Sequence, residues 1–285
     1  MRRLILCAIL ISCVAVARPD PVGAIHGGTP SSKPWVVSLV NGTPTQGTPD
    51  SIRRYVCSGV LVHRSYVLTA RHCLRDISKA GTKVVIGRRD VRSGGQGQVR
   101  AIKHIYPMPE YATASSASGI YAVSSDLALL QLSTPSTLPA LPLADSSVTG
   151  DWGPGKDIRV YGYGPTAGGG APSRYQRQAV FRINTFSPWR PTGLSRSFRA
   201  HHFFTATWTG RHVCPGDSGG PAVKKTAKGE RLVGITSATY SYACDGSRGA
   251  IYMKVGSRGS LASSPGYVWV RRCIANTATC SGYPR

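Results

Sequence analysis

The chain has 285 residues, of which 41% are hydrophobic and 16% are charged. This length and composition predict a folded protein of one or two domains with a buried core, and they exclude a disulfide-stapled mini-protein. The formal net charge of +23 favours non-specific contact with polyanions. Sequence-specific nucleic-acid recognition is not predicted, because the chain contains no basic helix, aromatic-interleaved basic patch or zinc-finger motif.

The N-terminal residues have the pattern of an export signal. Two arginines precede a short apolar run over residues 4–16, and small residues allow cleavage after Ala17 or after Ala24. A lipoprotein box ending at Cys13 is an alternative, which the apolar residues after Cys13 disfavour. No later stretch is apolar over the roughly 18 residues that a membrane span needs. We therefore expect a secreted, extracellular protein whose residues 1–24 form a signal peptide and a short pro-segment.

Short runs of β-branched and aromatic residues recur along the rest of the chain, bounded by turn-forming residues, and each predicts a strand. The predicted strands are residues 35–40, 58–62, 66–69, 83–86, 128–132, 158–161, 232–236 and 250–255. One helix is predicted over residues 267–274. Together with 33 glycines and 20 prolines, this pattern predicts an all-β fold, built as two barrels or as a sandwich.

The domain boundary is predicted between the two strand-rich halves of the chain. Residues 133–145 carry three prolines and two serines between predicted strands, which is typical of a linker. The N-terminal unit is therefore residues 25–140. The C-terminal unit is residues 141–285, including the helix and the tail.

The segment Cys214-Pro-Gly-Asp-Ser-Gly-Gly-Pro221 carries the strongest chemical signal in the sequence. Glycines around Ser218 allow a tight turn that exposes the hydroxyl and aims backbone N–H groups at a developing oxyanion. The spacing of Gly216, Ser218 and Gly220 also fits the nucleophile elbow of α/β-hydrolases. That fold needs a histidine after the serine, whereas the last histidine here is His212. The base for Ser218 must therefore precede it in the chain.

Seven histidines are available for this role. They are His26, His63, His72, His104, His201, His202 and His212. His72 ends a predicted strand in the segment Val67-Leu-Thr-Ala-Arg-His-Cys73, where a disulfide from Cys73 to Cys57 can pin its loop. This segment and the serine segment resemble the histidine and serine boxes of the trypsin/chymotrypsin family of serine proteases. Arg71 stands where the family has the second alanine of Thr-Ala-Ala-His-Cys.

The resemblance implies a carboxylate between the histidine and the serine. The segment Ser125-Asp-Leu-Ala-Leu-Leu130 is similar to the Asp-Ile-Ala-Leu-Leu box of the family. An aspartate that opens an apolar strand needs a partner for its buried charge, and a histidine N–H supplies one. Asp126 is therefore the predicted third member of the triad, with Asp90 and Asp145 as the alternatives.

The resemblance also implies a fold and an activity. It implies two packed antiparallel β-barrels with a short C-terminal helix and with the triad in the cleft between the barrels. The activity is that of a serine endopeptidase, which acts on protein or peptide substrates and needs no metal or cofactor. The oxyanion would be bound by the N–H groups of Gly216 and Ser218. An esterase on the same scaffold, or a cationic polyanion-binding protein that has lost catalysis, are the alternatives.

The N-terminus of the mature chain would have a role in activation. The segment Ile25-His-Gly-Gly28 resembles the new N-terminus of the family, Ile-Val-Gly-Gly. In the family the freed amine pairs with the aspartate before the nucleophile. This implies a zymogen in which cleavage after Ala24 lets the Ile25 amine pair with Asp217.

The resemblance also locates a specificity pocket. Its floor lies six residues before the nucleophile, at His212, its walls would carry Thr239 and Ala250, and Ser237 lies on the strand that pairs with substrate. Side chains at the two wall positions would shorten the pocket. A floor without aspartate removes the attraction for lysine and arginine. We expect cleavage after small or medium uncharged residues, or after acidic residues if His212 is protonated.

Six cysteines remain after removal of the signal, which predicts three disulfides in an oxidising compartment. Cys57–Cys73 and Cys214–Cys244 correspond to bridges of the family. Cys273–Cys280 has no common counterpart there, and we expect it to clip the C-terminus.

Overall fold

The computed structural model describes residues 25–42, 54–91, 96–109, 113–115, 121–123, 125–148, 150–165, 170–185, 201–239, 244, 249–257 and 264–280. The predicted signal segment lies outside these residues. In this part of the chain, no helix has both the length and the apolar character that a membrane crossing requires.

Strands dominate the described residues. In chain order they are β1 (Thr29–Pro30), β2 (Val36–Asn41), β3 (Tyr55–His63), β4 (Tyr66–Thr69), β5 (Thr82–Ile86), β6 (Gln98–Pro107), β7 (Thr113–Ser115), β8 (Tyr121–Val123), β9 (Ala128–Leu132), β10 (Asp157–Gly162), β11 (Arg177–Ile183), β12 (Phe203–Thr207), β13 (Pro221–Thr226), β14 (Gly229–Thr239) and β15 (Ala250–Lys254). The helix α1 (Pro265–Ala275) follows the last strand.

The first barrel is closed and has six antiparallel strands in the order β2-β3-β4-β9-β6-β5. Every residue of β4 is buried, as is nearly every residue of β9. Because β4 is buried along its whole length, its sequence is a nearly continuous apolar run rather than an alternating one. The register pairs Tyr66 with Gln131 and Thr69 with Ala128, which places the residues after β4 and before β9 side by side.

The second barrel consists of β11-β10-β13-β14-β15-β12, and pairing between β11 and β12 closes it. The short strand β1 pairs with the first residues of β11. Residues 29–30 therefore belong to the second sheet, although the predicted domain boundary assigns them to the N-terminal unit. The strands β7 and β8 pair antiparallel in a separate two-stranded sheet.

The two barrels contact each other through their cores and their backbones. The rings of Trp35 and Tyr161 meet edge to face with their centroids 4.9 Å apart. The N–H of Ser58 on β3 donates to the carbonyl of Ser218 over 2.8 Å. This bond ties the predicted nucleophile of the second barrel to a strand of the first.

The helix α1 closes the C-terminal end of the chain against both barrels. Ser264 caps it, since its hydroxyl accepts a hydrogen bond from the N–H of Tyr267, and proline opens its first turn. Trp269 is buried, and its indole N–H donates to the carbonyl of Cys280 over 3.1 Å. A Cβ at Gly266 would lie 2.8 Å from Leu127 Cδ1 of the first barrel, so glycine permits this close approach.

The predicted fold class is confirmed, because two closed antiparallel barrels and a short C-terminal helix make up the described chain. The predicted strands 66–69 and 128–132 have the bounds of β4 and β9. The short strands β1, β7 and β8 were not predicted, and neither were the longer strands β6, β11, β12 and β13. Polar and basic residues interrupt most of them, and this obscures the apolar pattern.

Candidate active site

Two glycines in the left-handed region flank Ser218. Gly216 has φ +99° and Gly219 has φ +81°, a conformation that side chains disfavour. A Cβ at Gly219 would also collide with the hydroxyl of Thr69 and the carbonyl of Ser58. These glycines let the loop turn sharply, which leaves Ser218 half-buried at the junction of the barrels.

The histidine and the aspartate of the predicted triad are in direct contact. His72 Nδ1 lies 2.8 Å from Asp126 Oδ2, and the backbone N–H of His72 donates to Asp126 Oδ1 over 2.8 Å. The hydroxyl of Ser237 donates to Asp126 Oδ2 over 2.5 Å. The ladder between β4 and β9 produces this contact, because His72 follows the end of β4 and Asp126 precedes the start of β9.

Burial and mutual attraction oppose each other in this pair. Burial on its own lowers the pKa of His72, but the Asp126 carboxylate outweighs it and leaves the pKa above its ordinary value. Burial raises the pKa of Asp126, but the imidazole and the bonds from Ser237 and His72 outweigh it and leave that pKa below its ordinary value. Asp126 is thus a buried carboxylate, 3% exposed, that is ionised at neutral pH.

The two alternative aspartates have other partners. Asp90 forms an ion pair with Arg174 over 2.6 Å. Asp145 accepts hydrogen bonds from the N–H and the hydroxyl of Ser147. Neither lines the cleft that contains His72.

His72 and Ser218 line one cleft between the barrels, with a cavity volume of about 290 Å³. Gly216, Ser237 and Thr239 also line this cleft. The site therefore offers a hydroxyl, an imidazole oriented by a carboxylate, and backbone N–H groups of a glycine-rich turn. This set of groups suits nucleophilic attack on a carbonyl carbon.

Of the four predicted pocket residues, Ser237 and Thr239 line the cleft and the other two lie behind it. Thr239 lines the cleft, whereas His212 and Ala250 are buried and are not part of the cleft wall. The Thr239 hydroxyl lies 2.6 Å from His212 Nε2, and Thr239 is the cross-strand neighbour of Ala250. The predicted floor and wall are thus joined by a hydrogen bond.

The predicted activation pair is buried. Ile25 and Asp217 are both 0% exposed. The Asp217 carboxylate accepts hydrogen bonds from the backbone N–H groups of Gly164 and Cys214, over 2.8 and 2.9 Å. Burial raises the pKa of Asp217 to about 7 despite these two bonds. A carboxylate in this position needs a cation to remain charged at neutral pH.

Six cysteines of the described residues lie in three disulfides. They join Cys57 to Cys73, Cys214 to Cys244 and Cys273 to Cys280. In the described residues, the one group that could hold a metal ion is Cys57, His72 and Cys73. Its two sulfur atoms are bonded to each other, so only the imidazole remains as a ligand and the group does not suit a metal centre.

Two residues of the site escaped prediction from the sequence. Tyr55 and Ser58, on β3, both direct their hydroxyls at the carbonyl oxygen of Gly216. Their proximity to Cys57 in the sequence is the only signal that could have found them. The 161-residue separation between Tyr55 and Gly216 carries no local pattern.

The fold and the site define a two-barrel serine protease, in which a glycine-flanked serine and a histidine–aspartate pair share an interbarrel cleft. The family model described as Trypsin matches residues 24–258. The chain therefore belongs to the trypsin family and is a serine endopeptidase.

Curated relatives agree with this assignment. The chain is similar to trypsin iota of Drosophila melanogaster, with 29% identity over 233 residues that cover 79% of this chain and 82% of the relative. It is similar to a trypsin of Saccharopolyspora erythraea, with 29% identity over 224 residues, covering 79% and 88%. It also resembles vitamin K-dependent protein C of Mus musculus, with 30% identity over 243 residues, but these cover 77% of this chain and 50% of that relative.

Proposed function

We propose that this trypsin-family chain is a secreted endopeptidase that cleaves peptide bonds through an acyl-enzyme on Ser218. His72 would be the general base and Asp126 its orienting partner. The observation that carries the proposal is the double contact of Asp126 with His72 on the wall of the cleft that Ser218 lines. Among the ion pairs of the described residues, only the one with Asp126 includes His72.

The proposed reaction uses these groups in two steps. Ser218 Oγ attacks the peptide carbonyl carbon as its proton passes to His72 Nε2, and the same proton then goes to the leaving amine. Water repeats the sequence on the acyl-enzyme and releases the acid. Asp126 fixes the imidazole tautomer and stabilises the imidazolium. The N–H groups of Gly216 and Ser218 bind the oxyanion, each contributing about 3 kcal/mol.

Activation would follow from cleavage after Ala24. The Ile25 nitrogen is a peptide nitrogen in the full chain and becomes an ammonium when that bond is cut. An ammonium at this buried position would supply the cation that the Asp217 carboxylate needs. Breaking such a buried pair from one side costs about 3–5 kcal/mol. Activity would thus require processing after Ala24.

The proposed cleavage specificity is for small or medium uncharged residues before the scissile bond. The hydrogen bond between Thr239 and His212 ties the wall of the pocket to its floor, and this supports a shallow pocket. Ala250, opposite Thr239 on β15, adds a second side chain on the same face of the sheet. Acidic residues would become substrates if His212 is protonated, because a protonated imidazole attracts carboxylates and repels cations.

This specificity can be tested by profiling a mixed peptide library with the wild type and with Thr239→Gly. The wild type should cut after alanine, serine, threonine or valine. Thr239→Gly removes the wall side chain and its bond to His212, and should extend cleavage to larger residues. A dominant preference of the wild type for lysine or arginine would contradict the proposed pocket.

Secretion is supported by two observations. Residues 1–24, which lie outside the described residues, have the sequence pattern of an export signal. Three disulfides are typical of proteins that mature in an oxidising compartment.

A cationic polyanion-binding protein remains the second candidate, because the net charge of +23 attracts polyanions whether or not the site is active. The kinetics of Ser218→Ala distinguish the two candidates. On a fluorogenic peptide, this variant and His72→Ala should each lose roughly four to six powers of ten in kcat while remaining folded. Ser78→Ala, at an exposed serine, is the matched control and should keep full activity. Equal hydrolysis by wild type and Ser218→Ala would favour the binding protein.

A further inference from the structure

Two hydroxyl groups of the first barrel meet the carbonyl oxygen of Gly216 in the serine loop of the second barrel. The Tyr55 hydroxyl donates to this oxygen over 2.5 Å, and Ser58 Oγ lies 3.1 Å from it. The two hydroxyl oxygens are 2.6 Å apart. Tyr55 and Ser58 are both on β3, so one strand supplies the whole cluster.

Both hydroxyl protons of this cluster are used in hydrogen bonds within it. Two hydroxyl protons serve three close contacts: Tyr55 donates to the Gly216 carbonyl, and Ser58 donates either to that carbonyl or to the Tyr55 oxygen. Burial and the nearby Asp217 raise the pKa of Tyr55 well above its ordinary value. Tyr55 therefore remains a donor over the whole working pH range.

The carbonyl that these groups hold belongs to a residue with little restraint of its own. Gly216 has no side chain and lies at φ +99°, where glycine rotates more freely than any other residue. Its neighbour Asp217 is fixed by hydrogen bonds from Gly164 and Cys214. Holding the Gly216 carbonyl fixes the plane of the peptide bond to Asp217. The Gly216 N–H belongs to the preceding peptide unit, which φ and ψ of Gly216 relate to this plane, so a fixed plane narrows the directions in which that N–H can point.

The Tyr55 ring reinforces this restraint by contact. A Cβ at Gly216 would lie 3.1 Å from Tyr55 Cε1, so the ring lies against the glycine backbone. The ring is itself placed beside that of Tyr163, with centroids 6.0 Å apart. The hydroxyl and the ring thus approach Gly216 from the same strand.

We propose that Tyr55 and Ser58 are positioning residues that hold the Gly216 N–H in the direction of the oxyanion. This inference rests on the proposed role of Gly216 as an oxyanion donor. It assigns a catalytic consequence to β3 of the first barrel, which otherwise contributes only structure to the serine loop. The pair acts through Gly216 and does not touch substrate.

Kinetics of Tyr55→Phe, Ser58→Ala and the double variant test the proposal in the processed enzyme. Tyr55→Phe keeps the ring and removes one donor, and the double variant removes both. Removing an oxyanion donor costs roughly 100- to 1,000-fold in kcat, so misdirecting one should cost about 10- to 100-fold in the double variant. KM should change less than about threefold. The affinity for a peptide aldehyde, whose hemiacetal places an oxygen in the oxyanion site, should fall in step with kcat.

Tyr106→Phe is the matched control. It removes a tyrosine hydroxyl that donates to Gln131 on the first barrel, over 3.2 Å and outside the cleft. It should leave kcat, KM and aldehyde affinity unchanged. Thermal unfolding of every variant distinguishes a loss of positioning from a loss of folding. If Tyr55→Phe is unstable, Ser58→Ala alone tests the positioning role.

The amide NMR signal of Gly216 separates failure of the inference from failure of the proposed function. Loss of both hydroxyls should broaden or shift this signal while the fold persists. An unchanged signal with unchanged kcat overturns the positioning role and leaves the proposed triad intact. A changed signal with unchanged kcat overturns the catalytic consequence, because Gly216 would then not bind the oxyanion. Parallel losses in kcat and thermal stability without loss of aldehyde affinity would show that the pair only supports the fold.

Discussion

The buried carboxylate of Asp217 makes the stability of the unprocessed chain depend on pH. In protein that begins at Arg18, the Ile25 nitrogen is part of a peptide bond and carries no charge. Burial raises the pKa of Asp217 from an ordinary value of 3.8 to about 7 in the folded chain. The folded state therefore binds more protons than the unfolded state between these two pH values. The free energy of unfolding must fall as pH rises through this window.

The size of the effect follows from the same two pKa values. Each pH unit between them is worth about 1.4 kcal/mol, so ionising Asp217 costs about 4 kcal/mol by pH 7. The loss should be complete above the folded pKa and absent below about pH 4. In the processed chain the Ile25 ammonium would pair with the carboxylate, which should hold the pKa low and abolish the loss.

Urea unfolding followed by tryptophan fluorescence measures this directly. The Ser218→Ala background prevents self-digestion, and Asp217→Asn in that background serves as the reference, since every other titrating group is shared. The difference in unfolding free energy between the two proteins should change by about 4 kcal/mol from pH 4 to pH 7 when both begin at Arg18. When both begin at Ile25, Asp217→Asn should instead cost about 3–5 kcal/mol at pH 7. Parallel pH curves for the two longer proteins would show that the pKa of Asp217 is not raised in the unprocessed chain.

Two further predictions concern the histidine loop. In the pH–rate profile of kcat/KM, the acid limb should have its midpoint above the ordinary imidazole pKa of 6.5, because Asp126 raises the pKa of His72. Asp126→Asn should lower this midpoint and reduce kcat by about 10,000-fold. An unchanged midpoint in Asp126→Asn would contradict the proposed pairing of His72 with Asp126. A non-reducing peptide map should contain a peptide pair linked through Cys57 and Cys73. Replacing both by serine should lower the free energy of unfolding in urea by about 3 kcal/mol. A disulfide from Cys57 to any other cysteine would contradict this pairing.

The parts of the fold that the sequence predicts are those where local pattern and burial agree. The strands β4 and β9 are continuous apolar runs between turn residues, so their bounds are visible in the sequence. The strand β6 carries Arg100, Lys103 and His104 on a partly exposed surface, and β13 begins with Pro221. The local sequence predicts neither strand, because pairing with neighbouring strands in the sheet supplies the stability that local propensity lacks.

The functional site also divides into residues that a local motif predicts and contacts that depend on distant parts of the chain. Short motifs with a chemical meaning predict Ser218, His72 and Asp126 as the catalytic residues. The start of α1 also has a local signal, because a capping serine followed by proline, Ser264-Pro265, predicts a helix that begins at residue 265 rather than at residue 267. Contacts between distant parts of the chain have no such signal. The bond between His212 and Thr239 depends on the register of the second barrel, which no short motif encodes.

In the proposed mechanism, Ser218 is the nucleophile and His72 activates it. The most direct measurement is mass spectrometry of the processed protein after reaction with a fluorophosphonate, which labels an activated serine covalently. We expect one adduct, on the peptide that contains Ser218, and no adduct in Ser218→Ala or, over the same time, in His72→Ala. An adduct on another serine, or normal proteolysis by purified Ser218→Ala, would contradict it.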